Sequence, residues 1–288
     1  MDKIFIPPIK IQGIKTKLLP LIKQNILPLD DMLWVEPFMG SGAVGFNLRP
    51  QRALFADNNP YLIEFYNALK QEKFSSCIIK EFLTEQGKIL SEHGEEYYYE
   101  VRERFNQFHE PLDFLFLNRS CFNGLIRFNR EGKFNVPYGH KPQRFSKAYV
   151  TKIVNQVRYV EECLFRFDWH FVCQDFRKTL QQVDNLNRAF IYCDPPNIGR
   201  HVDYYNSWHE EDERTLCEIL KNSGKKFMIS TWLKNKFRIN HCVEDIWKFC
   251  RKEKQEHFYH VGAKEVNRNS MLEAVLMNYY SLEEKNGL

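Results

Sequence analysis

Short apolar runs that stop abruptly at a polar or glycine-bearing loop recur along the chain: LWVEPF (33–38), RALFAD (52–57), WHFVCQDF (169–176), AFIYCDPP (189–196) and KKFMISTW (225–232). Each is rich in β-branched or aromatic residues and shorter than an ordinary helix, the pattern of strands buried on both faces. Stretches with helical spacing lie between most of them. TKLLPLIKQNI (16–26) precedes the first run, and EDERTLCEILKNS (211–223) follows the fourth with an acidic first turn suited to a helix amino end. This alternation predicts an α/β chain built on an open, mostly parallel sheet. Two late runs, EHFYHVG (256–262) and EAVLMNYYS (273–281), are too close for a crossover helix and predict an antiparallel hairpin at the sheet edge. From about Lys70 to Glu162 the rhythm gives way to helical, aromatic and basic sequence. The expected organisation is therefore a core from 1–69 and 163–288 with an insertion at 70–162.

Composition changes this picture only in part. With 288 residues, 43% of them hydrophobic and 27% charged, the chain can bury one large core and keep a polar surface. No apolar run approaches the roughly 20 residues of a membrane span, and MDKIFIPPIK lacks the long apolar stretch of a signal peptide, so a cytoplasmic protein is expected. The eight cysteines show no C-x-x-C pair or zinc spacing. Buried, reduced thiols and no metal site are the expectation. The net charge of +4 says little, but residues 118–152 hold eight Lys/Arg against one acid, a local +7 that exceeds the whole chain's charge. Basic and aromatic side chains alternate there, which suits phosphate contact together with base stacking or wedging.

Candidate chemistry begins at VEPFMGSGAVGFNL (35–48), where Gly40 and Gly42 follow a strand and precede a helical run. Glycine there lets backbone approach a ligand, although a bare G-x-G also makes an ordinary tight turn. Asp57 ends the next strand at the spacing of the acid that holds a ribose in nucleotide-binding α/β folds; the competing role is a cap for the helix near Pro60. Read by letter, Gly40-Ser-Gly42-Ala-Val-Gly45 is a dinucleotide fingerprint, which leaves nicotinamide binding open. The loop after the fourth run, Asp194-Pro195-Pro196-Asn197, narrows the choice. Prolines remove N–H donors and fix φ, so the Asp194 carboxylate and Pro195 carbonyl become rigid acceptors. Such acceptors suit a substrate that donates N–H, an exocyclic amine for instance.

Six segments in order, PPIKIQGIKTKLLP (7–20), VEPFMGSGAVGFNL (35–48), ALFADNNPYLIEFYN (53–67), FLNRSCFNGLIRFNREGKFNVPYG (116–139), CQDF (173–176) and IYCDPPN (191–197), resemble those of the Dam-type DNA adenine-N6 methyltransferases, the α group or D12 class. The resemblance implies a Rossmann-like S-adenosylmethionine-dependent methyltransferase sheet, and makes 70–162 a target-recognition subdomain of helices and a β-hairpin. S-adenosyl-L-methionine is the implied cofactor, and N6 of an adenine flipped out of double-stranded DNA the implied acceptor. Host protection beside a cognate restriction endonuclease is the implied setting, with a monomer favoured. By the same resemblance Ile11, Gly13 and Lys15 lie near the methionine end of the cofactor. Glu36, Phe38, Gly40, Ser41 and Gly42 lie beneath it, Asp57 and Asn58 at the ribose, and Asp175 and Phe176 beside its adenine. Asp194 serves both cofactor amine and target base, and completes the catalytic loop with Pro195, Pro196 and Asn197.

For DNA, the resemblance implies that Phe122 inserts into the duplex with Asn123 beside it, and that Arg127 reads a guanine edge, for which its fork is suited. Leu125 and Pro137 would touch thymine methyls. Arg119, Arg130, Lys133, His140, Lys141 and Arg144 complete the DNA-binding set, an ion pair being as apt for Arg119 as a phosphate. Phe128 and Phe134 fit core packing better than DNA contact. Two departures stand out. Asn197 occupies the position where the family has an aromatic residue, usually Tyr, and so forgoes base stacking worth on the order of 1–3 kcal/mol unless Tyr204 or Tyr205 substitutes. Lys10-Ile11-Gln12-Gly13-Ile14-Lys15 replaces K-W-x-G-G-K, which removes an aromatic contact and one glycine. The first departure raises a second reading, a cofactor- and DNA-binding protein with weak turnover; methylation of RNA or another amine is a third.

Overall fold

The computed structural model describes residues 3–186, 188–198, 208–235, 238–260 and 268–280. Its centre is a seven-stranded sheet made of β1 (Leu33–Glu36), β2 (Arg52–Asp57), β3 (Asp168–Cys173), β4 (Ala189–Cys193), β5 (Lys226–Asn235), β6 (Arg251–His260) and β7 (Arg268–Met277), in the spatial order β3-β2-β1-β4-β5-β7-β6. The first five run parallel, and β7 and β6 form an antiparallel hairpin on the β5 side. Each strand predicted for the sheet is present. The edge hairpin begins earlier than its apolar letters suggest, because β6 opens on RKEKQE; charged side chains along an edge strand discourage further pairing.

Alternation along the strands sorts side chains into two layers. Trp34, Phe190, Tyr192 and Met228 face one side, while Val35, Ile191, Cys193, Phe227 and Ile229 face the other. The second layer is covered by α8 (Phe176–Asp184), α9 (Glu210–Asn222) and the short α10 (Cys242–Asp245). The first is covered by α1 (Leu19–Asn25), α2 (Ala43–Leu48) and α3 (Pro60–Lys70), and continues without a break into α4 (Ser76–His93), α5 (Glu95–Phe108), α6 (Pro111–Ser120) and α7 (Lys147–Arg166). The inserted stretch thus shares one buried core with the sheet. Helix α7 shows why: Val150, Ile153, Val154, Val157 and Val160 make one apolar stripe at helical spacing, and Ser146 caps its first turn.

Between α6 and α7 the basic segment folds back on itself through single antiparallel bridges, Cys121 with Tyr138 and Phe128 with Phe134, rather than the two short strands its pattern predicts. Its arms are joined by a few backbone hydrogen bonds, Phe122 N–H to the Pro137 carbonyl and Asn135 N–H to the Arg127 carbonyl among them, and it is also held from below. Asn106 of α5 exchanges hydrogen bonds with both the N–H and carbonyl of Phe134, and Tyr98 Oη donates to the Val136 carbonyl at 2.7 Å. Phe128 and Phe134 are buried as expected, the former stacked on Tyr61 of α3.

Gly45, the third glycine of the loop motif, has a packing reason. A Cβ there would stand 2.3 Å from the Phe55 ring and 2.8 Å from Glu36 Oε2, so the close approach of α2 to β1 and β2 requires its absence. Gly45→Ala is expected to lower unfolding stability by about 1–3 kcal/mol, the usual penalty for overpacking. Denaturant titration with an unchanged slope checks this; wild-type stability in the variant would show that the helix shifts freely.

Candidate active site

The strand order places one topological reversal between β1 and β4, whose following loops leave toward opposite sides and open a crevice at their carboxyl ends. A cleft with a cavity volume of about 40 Å³ lies there, lined by Ile11, Gly13, Lys15, Glu36, Gly40, Ser41 and Asp194 among others. Residues from three separate motifs meet in it. Asp194 follows β4 directly, and the pairing of Cys193 with Ile229 sets Ser230 of β5 beside it.

Asp194 is held at one oxygen. Lys15 Nζ lies 2.8 Å from Oδ1, and Ser230 Oγ donates to the same atom at 2.8 Å, itself receiving the Tyr192 hydroxyl at 2.8 Å. Lys15 also donates to the Gly13 carbonyl at 2.9 Å, which folds the amino-terminal loop over the cleft. Among the described residues Oδ2 has no partner, so the carboxylate is fixed in rotation and keeps one acceptor oxygen available. Pro195, Pro196 and Asn197 follow, each half-buried. Tyr204, Tyr205 and His201 lie outside the described residues.

The glycine loop is latched to the next strand. Gly40 and Gly42 have φ of 50° and 74°, the left-handed region where a side chain is disfavoured. Gly40 N–H donates to Asp57 Oδ2 at 2.8 Å and Asn59 N–H to Oδ1 at 2.9 Å. The helix cap is Asn59, whose Oδ1 accepts from the Tyr61 and Leu62 amides, so capping is not what Asp57 does. Burial raises the Asp57 pKa, and the backbone donors of Asn59, Gly40 and Asn58 oppose that rise. Ser41 is buried, its carbonyl taken by Tyr66 Oη, and Asn58 is exposed.

Glu36 is the electrostatic oddity of the cleft. Burial, against the opposing Trp34 indole hydrogen bond at 3.0 Å and with the nearby Asp194 charge adding to it, pushes its carboxyl up to about 8. A carboxyl so placed is mostly neutral at neutral pH and would ionise for a cation brought against it.

Not every expected residue joins the cleft. Phe176 is buried against Phe38 and Trp208 with centroids 5.3 Å apart, so its ring closes an aromatic trio. Asp175 caps α8 through the Arg177 amide and pairs with the Arg177 guanidinium at 3.1 Å. Gly42 supports Met39 and Phe46 from behind the loop. The sequence reading missed Ser230, Tyr192, Gln12 and Met39. For Ser230 a signal existed: a hydroxyl at the end of KKFMIS, in the strand that parallel topology sets beside β4.

On the recognition segment, Phe122 is 47% exposed at the tip of a short 3-10 turn and Asn123 beside it adopts φ of 55°. Arg127 is exposed and held toward its neighbour, Nε to Asn135 Oδ1 at 2.7 Å and Nη2 to the Asn135 carbonyl at 2.9 Å. Arg130, Lys133, Pro137, His140 and Lys141 are exposed, and Leu125 and Arg144 half-buried. Arg119 is a correction. It is 2% exposed and donates to the Pro7 and Pro8 carbonyls, Gln156 Oε1 and Tyr149 Oη, with no ion pair among the described residues. Burial keeps it from touching a duplex directly, and its hydrogen bonds tie the amino-terminal segment to α7.

A doubly wound sheet with a glycine loop, an acid latching that loop and an Asp-Pro-Pro turn at the switch point sets a ligand crevice at the carboxyl ends of the strands. The particular family follows from comparison: residues 12–267 match the D12 class N6 adenine-specific DNA methyltransferase family, and the chain belongs to it. It is similar to the DNA adenine methylase of Vibrio cholerae O395, 33% identical over 211 residues that cover 70% of this chain and 71% of that protein. It is also similar to the DNA adenine methylase of Escherichia coli K12, 34% identical over 223 residues, 73% of this chain and 74% of the other. Among solved structures, the rRNA methyltransferase aviRa from Streptomyces viridochromogenes aligns over 91% of this chain and 82% of its own with TM-score 0.37 and 11% identity.

The cleft carries a pH signature. Glu36 holds its proton in the folded protein up to about 8 but ionises in the ordinary carboxylate range once unfolded, so unfolding releases a proton between those values. Stability from this group is complete below its unfolded pKa and is lost as pH rises through the folded one; Asp57 acts in the same direction. Thermal melts are expected to fall between pH values of about 5 and about 8 in wild type and to fall less in Glu36→Gln. Parallel curves would show that Glu36 ionises normally.

Proposed function

We propose that this protein transfers a methyl group from S-adenosyl-L-methionine to N6 of an adenine taken out of the stack of double-stranded DNA. The observation that carries the reading is the Asp194 carboxylate, pinned at Oδ1 by Lys15 and Ser230 and opening on the cleft that Gly40 and Glu36 share. When bound, the cofactor supplies an electrophilic methyl on a sulfonium, and the chain's task is to present an amine to it. N6 of adenine is a poor nucleophile because its lone pair is delocalised into the ring. The Asp194 Oδ2 and Pro195 carbonyl are acceptors without competing donors, and hydrogen bonds to them favour the more tetrahedral nitrogen whose lone pair can attack in line.

The residues present fit the cofactor. Gly40 in the left-handed region lets backbone approach a ligand, and Asp57 beside it retains lone pairs for hydroxyl donors. The neutral, buried Glu36 carboxyl would ionise against an ammonium, which suits the methionine end. The Phe38, Phe176 and Trp208 trio offers an apolar wall for a purine, more through Phe38 than through the enclosed Phe176. Residues 70–162 act as the target-recognition unit. In it Phe122 is the wedge, Arg127 the guanine reader with its fork held by Asn135, and Arg130, Lys133, His140 and Lys141 the backbone contacts. Extruding the base costs a few kcal/mol, which the pocket must offset. Protection of host DNA beside a cognate endonuclease is the setting such chemistry serves.

Asn197 favours a second reading, a protein that binds cofactor and DNA but turns over slowly, because an amide gives a flipped base no stacking face. Incubation with S-adenosyl-L-methionine and genomic DNA, followed by nucleoside analysis, separates the two. N6-methyladenine is expected with wild type, and Asn197→Tyr is expected to raise kcat/KM roughly ten- to a hundredfold, the equivalent of about 1–3 kcal/mol of stacking. Product with Asn197→Tyr alone would establish the binder; product in neither would overturn methyl transfer to adenine.

A further inference from the structure

We propose that Lys10, Arg144 and Tyr149, backed by the buried Arg119, form a binding site for one phosphodiester of the DNA backbone, set at the junction between the cofactor cleft and the recognition segment. The inference rests on the DNA-methyltransferase reading and extends it to a phosphate anchor that includes two residues, Lys10 and Tyr149, with no role in the reaction.

Three cations converge on one phenol. Arg144 Nη2 donates to Tyr149 Oη at 2.7 Å with its guanidinium carbon 4.2 Å from the ring centroid, Arg119 Nη1 donates to the same oxygen at 3.4 Å, and Lys10 Nζ lies 5.9 Å from the ring. Among the described residues none of the three pairs with a carboxylate; after burial, the Tyr149 phenol acts on Lys10 in favour of its charge, and Arg119 and Arg144 act against it. Burial lowers the Lys10 pKa, while burial raises that of Tyr149 and Arg119, Lys10 and Arg144 together outweigh it, so the phenol is the group that answers the three cations. Among the described residues the buried Nε of Arg119 has no hydrogen-bond partner. An arrangement of like charges at this spacing is unfavourable in the free protein and becomes favourable when an anion enters.

The opening and the position identify the anion. Arg144 and Tyr149 line a shallow surface depression with Lys141, Gln143 and Ser146 at the amino end of α7, whose first turn holds no acid. Lys10 immediately precedes Ile11 of the cleft, exchanges backbone hydrogen bonds with the Asn118 side chain of α6, and packs against Gly124, where a Cβ would meet its side chain at 2.8 Å. Gly124 in turn lies next to the exposed Phe122. An anion here therefore sits within reach of a duplex engaged by Phe122, and a phosphodiester is the anion that a duplex supplies.

The test is fluorescence anisotropy of a labelled mixed-sequence DNA duplex over a salt series with the full-length protein, its Lys10→Met, Arg144→Gln and doubly substituted forms, and Lys88→Met of α4 as a charge-matched control. The slope of log affinity against log salt is expected to become shallower by roughly one for each cation removed and by about two in the double form, with the control unchanged. Should Arg144→Gln fail to fold, Lys10→Met alone decides. Wild-type slopes in Lys10→Met and the double form would overturn the phosphate site while leaving the methyltransferase reading standing. Absence of duplex binding by the wild type itself would overturn both.

Discussion

Two cationic or hydroxyl donors share one carboxylate oxygen at the end of β4, and the active cleft is organised around that contact. Lys15 comes from the amino-terminal loop and Ser230 from β5, so Asp194 is the point where three distant parts of the chain are joined. Because both contacts are made to Oδ1, they lock the carboxylate against rotation and leave the other oxygen without a partner among the described residues. The prolines that follow contribute by what they lack: neither can donate an N–H that would compete for it.

The basic segment between α6 and α7 depends on the same economy of fixed groups. Its basic side chains project from a backbone pinned by Asn106 and Tyr98, over Phe128 and Phe134 buried against Tyr61 and Phe105. The continuity of the core from the sheet into α4–α7 means that the surface carrying Phe122 and Arg127 is not a loosely tethered module. Arg119, enclosed between the Pro7 and Pro8 carbonyls and Gln156, ties the loop that carries Lys15 to that surface. The amino-terminal loop and the basic segment are thereby mechanically linked.

The strands and the cleft were legible in the sequence because buried parallel strands are near-continuous apolar runs, and because ligand sites of such sheets fall at the strand ends. VEPFMG, ALFAD and IYCDPP announce both features at once. What was not legible depends on contacts remote in sequence. Nothing local distinguishes Arg119 from the exposed Arg127, since its burial comes from carbonyls more than a hundred residues away. Ser230 gains meaning only from the β4–β5 register, and Asn59 rather than Asp57 becomes the helix cap because Asp57 is already engaged by the glycine loop. The basic hairpin was visible as alternation, but its arms share only a few backbone hydrogen bonds, and Asn106 of α5 takes both the N–H and the carbonyl of Phe134.

The central claim is that one oxygen of Asp194 is held by protein while the other serves the reacting amine. Single-turnover methyl transfer by Asp194→Asn, with cofactor affinity measured on the same preparation, tests it most directly, since asparagine keeps the shape and removes the charge that Lys15 and Ser230 fix. The account predicts a folded protein whose transfer rate falls by at least about a hundredfold, the scale of losing a preorganised electrostatic group. A rate within a few-fold of wild type would contradict it.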